Sequence, residues 1–318
     1  MRNNGNIRTI DLFCGAGGSS FGARKAGAAI VAGFDIWQTA IVAYKTNFPE
    51  AKAFHNDLRN LSPKVIRKEI GEIDLILGSP ECTNHSVAKG ARDRCEASKN
   101  TAFEVTRFAE VFRPKWIIIE NVVEMSAWNK HTKLINELNE LKYYVNEIQL
   151  NSADFGVPQA RNRLFLLCSL SDKIHPPKPT SNQRMPVSSI IDWSDRYALS
   201  PVFKKGRAEK TLKRATNAIE VLGKNEPFIM VYYGTGHGWQ SIDKPLRTIT
   251  TLDRFALVIP TKNGHMMRML QPEELKLAMG FTDEYNLKLQ MTRREKIMLM
   301  GNGVCPPVMT EILKNLCN

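Results

Sequence analysis

The sequence predicts an α/β protein in which a doubly wound, Rossmann-like parallel sheet is joined to a smaller, irregular domain. Three observations carry this expectation. From Ile7 to Ser169, short apolar runs rich in β-branched residues alternate with helix-like stretches, the pattern of strands covered on both faces by crossover helices. The first run enters a glycine-rich turn and the second ends on an aspartate, as at the ligand-binding edge of open α/β sheets. After Ser169 the texture changes to SDKIHPPKPTSNQRMP, where proline and polar residues break any long periodicity and mark a boundary.

The first strand, IRTIDLF, runs into DLFCGAGGSSFG (11–22). Gly15, Gly17 and Gly18 there permit a tight strand-to-helix turn and close approach of a ligand to the backbone. The turn lacks the Gly-Lys-Ser/Thr that cradles a triphosphate and only approximates G-x-G-x-x-G. The second strand, AIVAGFD, ends at Asp35, about twenty residues beyond the glycines, where a carboxylate can accept hydrogen bonds from ribose hydroxyls. Ile36 and Trp37 follow with apolar surface for an adenine ring. Asp57, in FHNDL, closes a third candidate strand-end turn and could receive an adenine amino group. Alone, each aspartate reads as a helix cap; with the glycine turn they describe one adenosine pocket. QTAIVAYKTNF, NTAFEVTRFAEVF and HTKLINELNELK read as intervening helices.

Three further strand ends carry reactive groups. IDLILGSPECTNHS places Pro80 and Cys82 just past a buried strand, WIIIENV delivers Glu120 and Asn121, and VPQARNRLFLL supplies Gln159, Arg161 and Arg163. Singly these read as a buried thiol, a capping glutamate and surface arginines; at consecutive strand ends they fit one reaction. Carbon 5 of cytosine is a poor nucleophile until a thiolate adds at carbon 6, after which the enamine-like ring can accept a methyl group. A glutamate buried beside apolar residues would have a raised pKa and could protonate ring N3. The two arginines lie on one face if extended, and Arg161 would hold base and carboxylate in register. The thiol, whose free pKa is about 8.5, needs help from nearby positive charge.

Composition narrows the partners. A net charge of +12 and a pI near 9.4 favour a polyanion, although excess lysine for solubility explains charge alone equally well. Between residues 171 and 245 there are twelve Lys and Arg against seven Asp and Glu. Their densest cluster, KKGRAEKTLKR, reads either as a phosphate-tracking stretch or as a solvated amphipathic helix. VYYGTGHGWQS (231–241), rich in rings and glycine, reads as a DNA-facing loop in preference to a plain hairpin turn. Six cysteines, at 14, 82, 95, 168, 305 and 317, stand at least twelve residues apart, which excludes C-x-x-C zinc or redox pairs and leaves no metal site. No apolar run approaches the roughly eighteen residues of a membrane span. The opening MRNNGNIRTIDLF has no apolar core of a secretory signal, so a cytoplasmic location is expected. The last stretch, from Met291, reads as a loop followed by a helix.

With these motifs in hand, the chain resembles the DNA cytosine-C5 methyltransferases. DLFCGAGG, FDIW, HNDL, GSPECTNHS, ENV, QARNR, PLRTITT and GNGVCPPV follow one another in the family's order over nearly the whole length. The resemblance implies an S-adenosylmethionine pocket lined by Phe13, Gly15, Gly17, Asp35, Ile36, Asp57, Pro80, Asn302 and Val304. It implies Cys82 as nucleophile, Glu120 as the N3 partner, and Arg161 and Arg163 as supports of the active site. It further implies a cofactor and catalytic domain over 1–169 completed by 291–318, and a target recognition domain over 170–290 that turns the base out of duplex DNA. One departure stands out: Glu81 lies between Pro80 and Cys82, where the family has Pro followed directly by Cys. An added residue can shift the thiol by up to about 3.5 Å. The expected partner is double-stranded DNA, acted on by a monomer of bacterial or phage origin that works either alone or beside a cognate restriction enzyme. Two alternatives are a tRNA cytosine-C5 methyltransferase and a DNA-binding relative impaired by its Pro-Glu-Cys loop.

Overall fold

The computed structural model describes residues 7–81, 100–234 and 237–317. Four apolar runs form the expected strands β1 (Arg8–Leu12), β2 (Ala29–Asp35), β4 (Leu75–Gly78) and β5 (Trp116–Asn121), and a short β3 (Lys52–His55) leads into the FHNDL turn. All four residues of β4 are buried, as are the last five of β5, because helices cover both faces of the sheet. On one face Ile10, Leu12, Phe34 and Ile76 meet Phe108 and Leu134, carried by α4 (Phe103–Phe112) and α5 (His131–Glu140), while α3 (Pro63–Ile70) adds Ile66. On the other face Leu75, Leu77 and Ile118 meet Phe21 and Ile41 of α1 (Gly18–Lys25) and α2 (Gln38–Asn47). Alternate residues of one strand thus enter opposite cores, as the pleat requires.

Two strands complete a seven-stranded sheet of order β3-β2-β1-β4-β5-β8-β6, where β6 is Tyr144–Asn151 and β8 is Asn162–Ser169. The expectation of an all-parallel sheet holds from β3 to β5 and fails beyond: β8 runs antiparallel to both β5 and β6. The cause is the connection. Only residues 152–161 separate β6 from β8, too few for the crossover that parallel neighbours need. Sequence reading passed over β6 because none of its residues is fully buried, so it lacks an apolar signature.

The region after Ser169 is more regular than expected. It holds a five-stranded antiparallel sheet of order β11-β10-β13-β14-β9, formed by β9 (Ser200–Pro201), β10 (Phe228–Val231), β11 (Trp239–Ser241), β13 (Phe255–Thr261) and β14 (Gly264–Met269). Ile229, Val231 and Leu257 on one face join the core beneath the large sheet. Phe228, Met230 and Val258 on the other lie under Ala215 and Ala218 of α6 (Glu209–Leu222). The KKGRAEKTLKR stretch therefore leads into an amphipathic helix on the outer face of the small sheet.

The C-terminal stretch is two helices rather than a loop and a helix: α8 (Arg293–Asn302) and α9 (Pro306–Cys317), preceded by α7 (Pro272–Ala278). Helix α9 lies against α1, where Thr310 donates to the Gly22 carbonyl at 2.9 Å. No helix among the described residues is long and apolar enough to cross a membrane.

Candidate active site

The carboxyl ends of β1, β2, β4 and β5 converge. At the β1 end, Phe13 adopts φ 63° and Gly15 φ 52°, and a Cβ on Gly15 would meet nothing within 4 Å, leaving open space above the turn. Asp35, at the end of β2, accepts hydrogen bonds from the backbone N–H of Gly15 and of Trp37, both at 2.8 Å. Burial raises its carboxyl pKa against these bonds. Ile36 beside it is 62% exposed, an apolar surface held at the rim. Asp57 caps the turn Leu58–Asn60 and grips the Arg59 guanidinium at 2.6–3.0 Å, which holds its carboxyl below the usual range.

Between β4 and β5, the Asn121 amide donates to the Pro80 carbonyl at 3.1 Å. Pro80 is buried and Glu81 exposed. Cys82 lies outside the described residues. Glu120 is buried, and Arg163 forms an ion pair with it, Nε to Oε1 at 3.0 Å. Burial raises the Glu120 pKa, while Arg163 and then Arg161 oppose the rise. Such a carboxyl can hold or deliver a proton nearer neutrality than an exposed glutamate.

The two arginines divide their work. Arg163, and not Arg161 as the sequence suggested, meets the carboxylate; buried Arg161 is occupied by the backbone, donating to the carbonyls of Ile249 (2.9 Å), Gly301 (2.8 Å) and Gly303 (3.0 Å). Gln159 does the same from β7 (Gln159–Ala160), accepting from Ile249 N at 2.9 Å and donating to the Ala278 carbonyl at 3.1 Å. β7 pairs in parallel with β12 (Leu246–Arg247). The QARNR and PLRTITT stretches, with 81 residues between them, are therefore one structural unit. Asn302 is exposed at the end of α8, and Val304 is buried with its carbonyl against Gly18. Gln240 is engaged within the small sheet: its side chain accepts from Arg247 N and donates to the Pro245 carbonyl, both at 3.1 Å.

A profile of the C-5 cytosine-specific DNA methylases matches residues 7–318. The chain belongs to the C-5 cytosine-specific DNA methylase family. S-adenosylmethionine is the cofactor of this family. Among its relatives, type II methyltransferase M.AgeI of Thalassovita gelatinovora is 34% identical over 182 residues, 55% of this chain and 42% of that protein. M.HaeII of Haemophilus aegyptius is 28% identical over 320 residues, covering 98% of this family member and 93% of M.HaeII. The fold is that of the crystal structure of Spodoptera frugiperda DNMT2, with TM-score 0.72 at 20% identity over 98% of this chain and all of that one. The chain spans about half the length of the first curated relatives it matches.

Several residues of this methylase-family site escaped sequence reading. Asp11, fully buried in β1, accepts from the Ser20 hydroxyl at 2.6 Å, and Ser20 lies 2.7 Å from the Tyr44 hydroxyl. Its Oδ1 has no hydrogen-bond partner, and burial raises its pKa to about 7. Thr39 donates to Glu295 at 3.1 Å, joining the cofactor-side edge to the start of α8. The capping box Thr292-x-x-Glu295 was legible in the sequence; its contact with Thr39, 256 residues away, was not.

Proposed function

We propose that the chain transfers a methyl group from S-adenosylmethionine to carbon 5 of a cytosine turned out of double-stranded DNA, through a covalent adduct of Cys82 at carbon 6. The observation that carries this reading is the buried Glu120–Arg163 pair at the strand end joined to Pro80 through Asn121. A carboxyl with a raised pKa serves ring N3 by donating a proton as the thiolate adds, which stabilises the adduct. Arg163 orients that carboxyl, and Arg161 keeps the 249 and 301–303 segments in place beside it.

The open turn at Gly15, the Asp35 carboxylate and exposed Ile36 fit an adenosine. Phe13, Gly15, Gly17, Asp35, Ile36, Pro80, Asn302 and Val304 would hold the cofactor, which supplies an electrophilic methyl group when bound. Asp57 would join them by sharing its carboxylate between Arg59 and the base. Residues 1–169 with 291–318 would form the catalytic domain and 170–290 the target recognition domain, sharing one core. Bacterial relatives named as type II methyltransferases favour work beside a cognate restriction enzyme in a bacterial or phage-derived cytoplasm, and we expect the enzyme to act as a monomer.

Bisulfite sequencing of DNA from cells expressing the wild type and Cys82→Ala tests the reading. The wild type should protect cytosines within one short motif, and the variant none. Methylation that survives in Cys82→Ala refutes the nucleophile; transfer to tRNA but not to duplex DNA refutes the substrate.

A further inference from the structure

A single exposed leucine is ordinary on a protein surface; what distinguishes Leu252, 47% exposed, is the loop that carries it. Residues 248–254 join β12 to β13, and both ends are pinned. On one side Ile249 is held by Gln159 through its N–H and by Arg161 through its carbonyl, each at 2.9 Å. Thr250 lies so close to α8 that a Cβ on Gly301 would stand 2.4 Å from its backbone. On the other side Asp253 accepts from Arg293 at 2.8 Å, and Arg254 exchanges backbone and side-chain hydrogen bonds with Tyr232. Within the loop the Thr250 hydroxyl bonds both N–H and carbonyl of Leu252. The arginine that anchors the loop also holds the carbonyls of Gly301 and Gly303, and its charge acts on Glu120.

The fold therefore presents one exposed apolar side chain on a stiff loop that Arg161 anchors, with Arg247 and Arg254 at the loop's ends. We propose that Leu252 is a wedge that enters the base stack of the duplex when the target cytosine leaves it. This inference rests on the function proposed above. Turning a base out costs a few kcal/mol, and an apolar side chain inserted between base steps offsets lost stacking. A pre-ordered loop loses little conformational freedom on insertion. The two flanking arginines suit the phosphates on either side of the opened step.

The test compares Leu252→Ala and Leu252→Met with the wild type on two duplexes carrying the motif found by bisulfite sequencing. In one the target cytosine is paired with guanine; in the other it faces an abasic site and is already loosened. With tritiated S-adenosylmethionine, Leu252→Ala should lose about tenfold in kcat/KM on the paired duplex and within about twofold on the abasic one. Leu252→Met should restore most of the loss. Equal activity of Leu252→Ala and wild type on the paired duplex overturns the proposal, as does an equal loss on both duplexes. A wild type inactive on both overturns the methyltransferase reading and the wedge with it. Unchanged melting temperatures identify the losses as functional.

Discussion

At the scale of single residues, burial decides what each carboxylate can do. Glu120 and Asp11 both lie in the sheet, yet only Glu120 has an arginine at hydrogen-bond distance. Asp11 has a hydroxyl on one oxygen and nothing on the other, and its pKa rises from 3.8 to about 7. Below about pH 4 the group is protonated in both folded and unfolded chains. Between about pH 4 and pH 7 the unfolded chain releases the proton while the folded one retains it, so stability falls across this window, by roughly 4 kcal/mol. Asp11→Asn should flatten that slope, read from urea unfolding at pH 5 and pH 7.5; an unchanged slope would refute the assignment. Glu120 was legible as a strand-end carboxylate in ENV. That Arg163 and not Arg161 would be its direct partner was not, since spacing of two residues places both on one face and cannot say which reaches farther.

Among elements, close approach of backbones sets the geometry of the cofactor edge. Helix α1 begins at Gly18, where an added Cβ would stand 2.1 Å from the Val304 carbonyl oxygen, and continues through Gly22, where it would stand 2.3 Å from that of Pro306. Backbone cannot yield as a flexible side chain does. Gly18→Ala should therefore push the 304–306 segment off α1, destabilising by about 1–3 kcal/mol and weakening S-adenosylmethionine binding. Calorimetric titration and denaturant unfolding would measure both; a variant that binds and unfolds like the wild type would show that the segment adapts freely. The glycines were readable as a strand-to-helix turn. Their second purpose, admitting a segment almost three hundred residues away, follows only from packing. β6 marks the opposite failure: an edge strand without buried residues gives periodicity nothing to register.

Over the whole molecule, charge and shared packing govern function. With a net charge of +12, duplex binding should be driven by counterion release and weaken about a thousandfold between roughly 50 and 200 mM salt. Fluorescence anisotropy on a duplex would check it, and an affinity indifferent to salt would remove the electrostatic argument. The proposed recognition region is not independently packed: Ile229, Val231 and Leu257 of the small sheet share a core with Phe21, Ile41 and Ile118. Alternating apolar runs, glycine turns and strand-end acids determined the α/β class, the strands β1, β2, β4, β5 and β8, and the places of Glu120 and Asp35 at strand ends, because period and turn chemistry are local properties of the chain. Tertiary structure alone decided the antiparallel β8, the junction of QARNR with PLRTITT, and the seat of α9 on α1. Those features depend on contacts between segments from about ten to almost three hundred residues apart, whose partners no local pattern encodes.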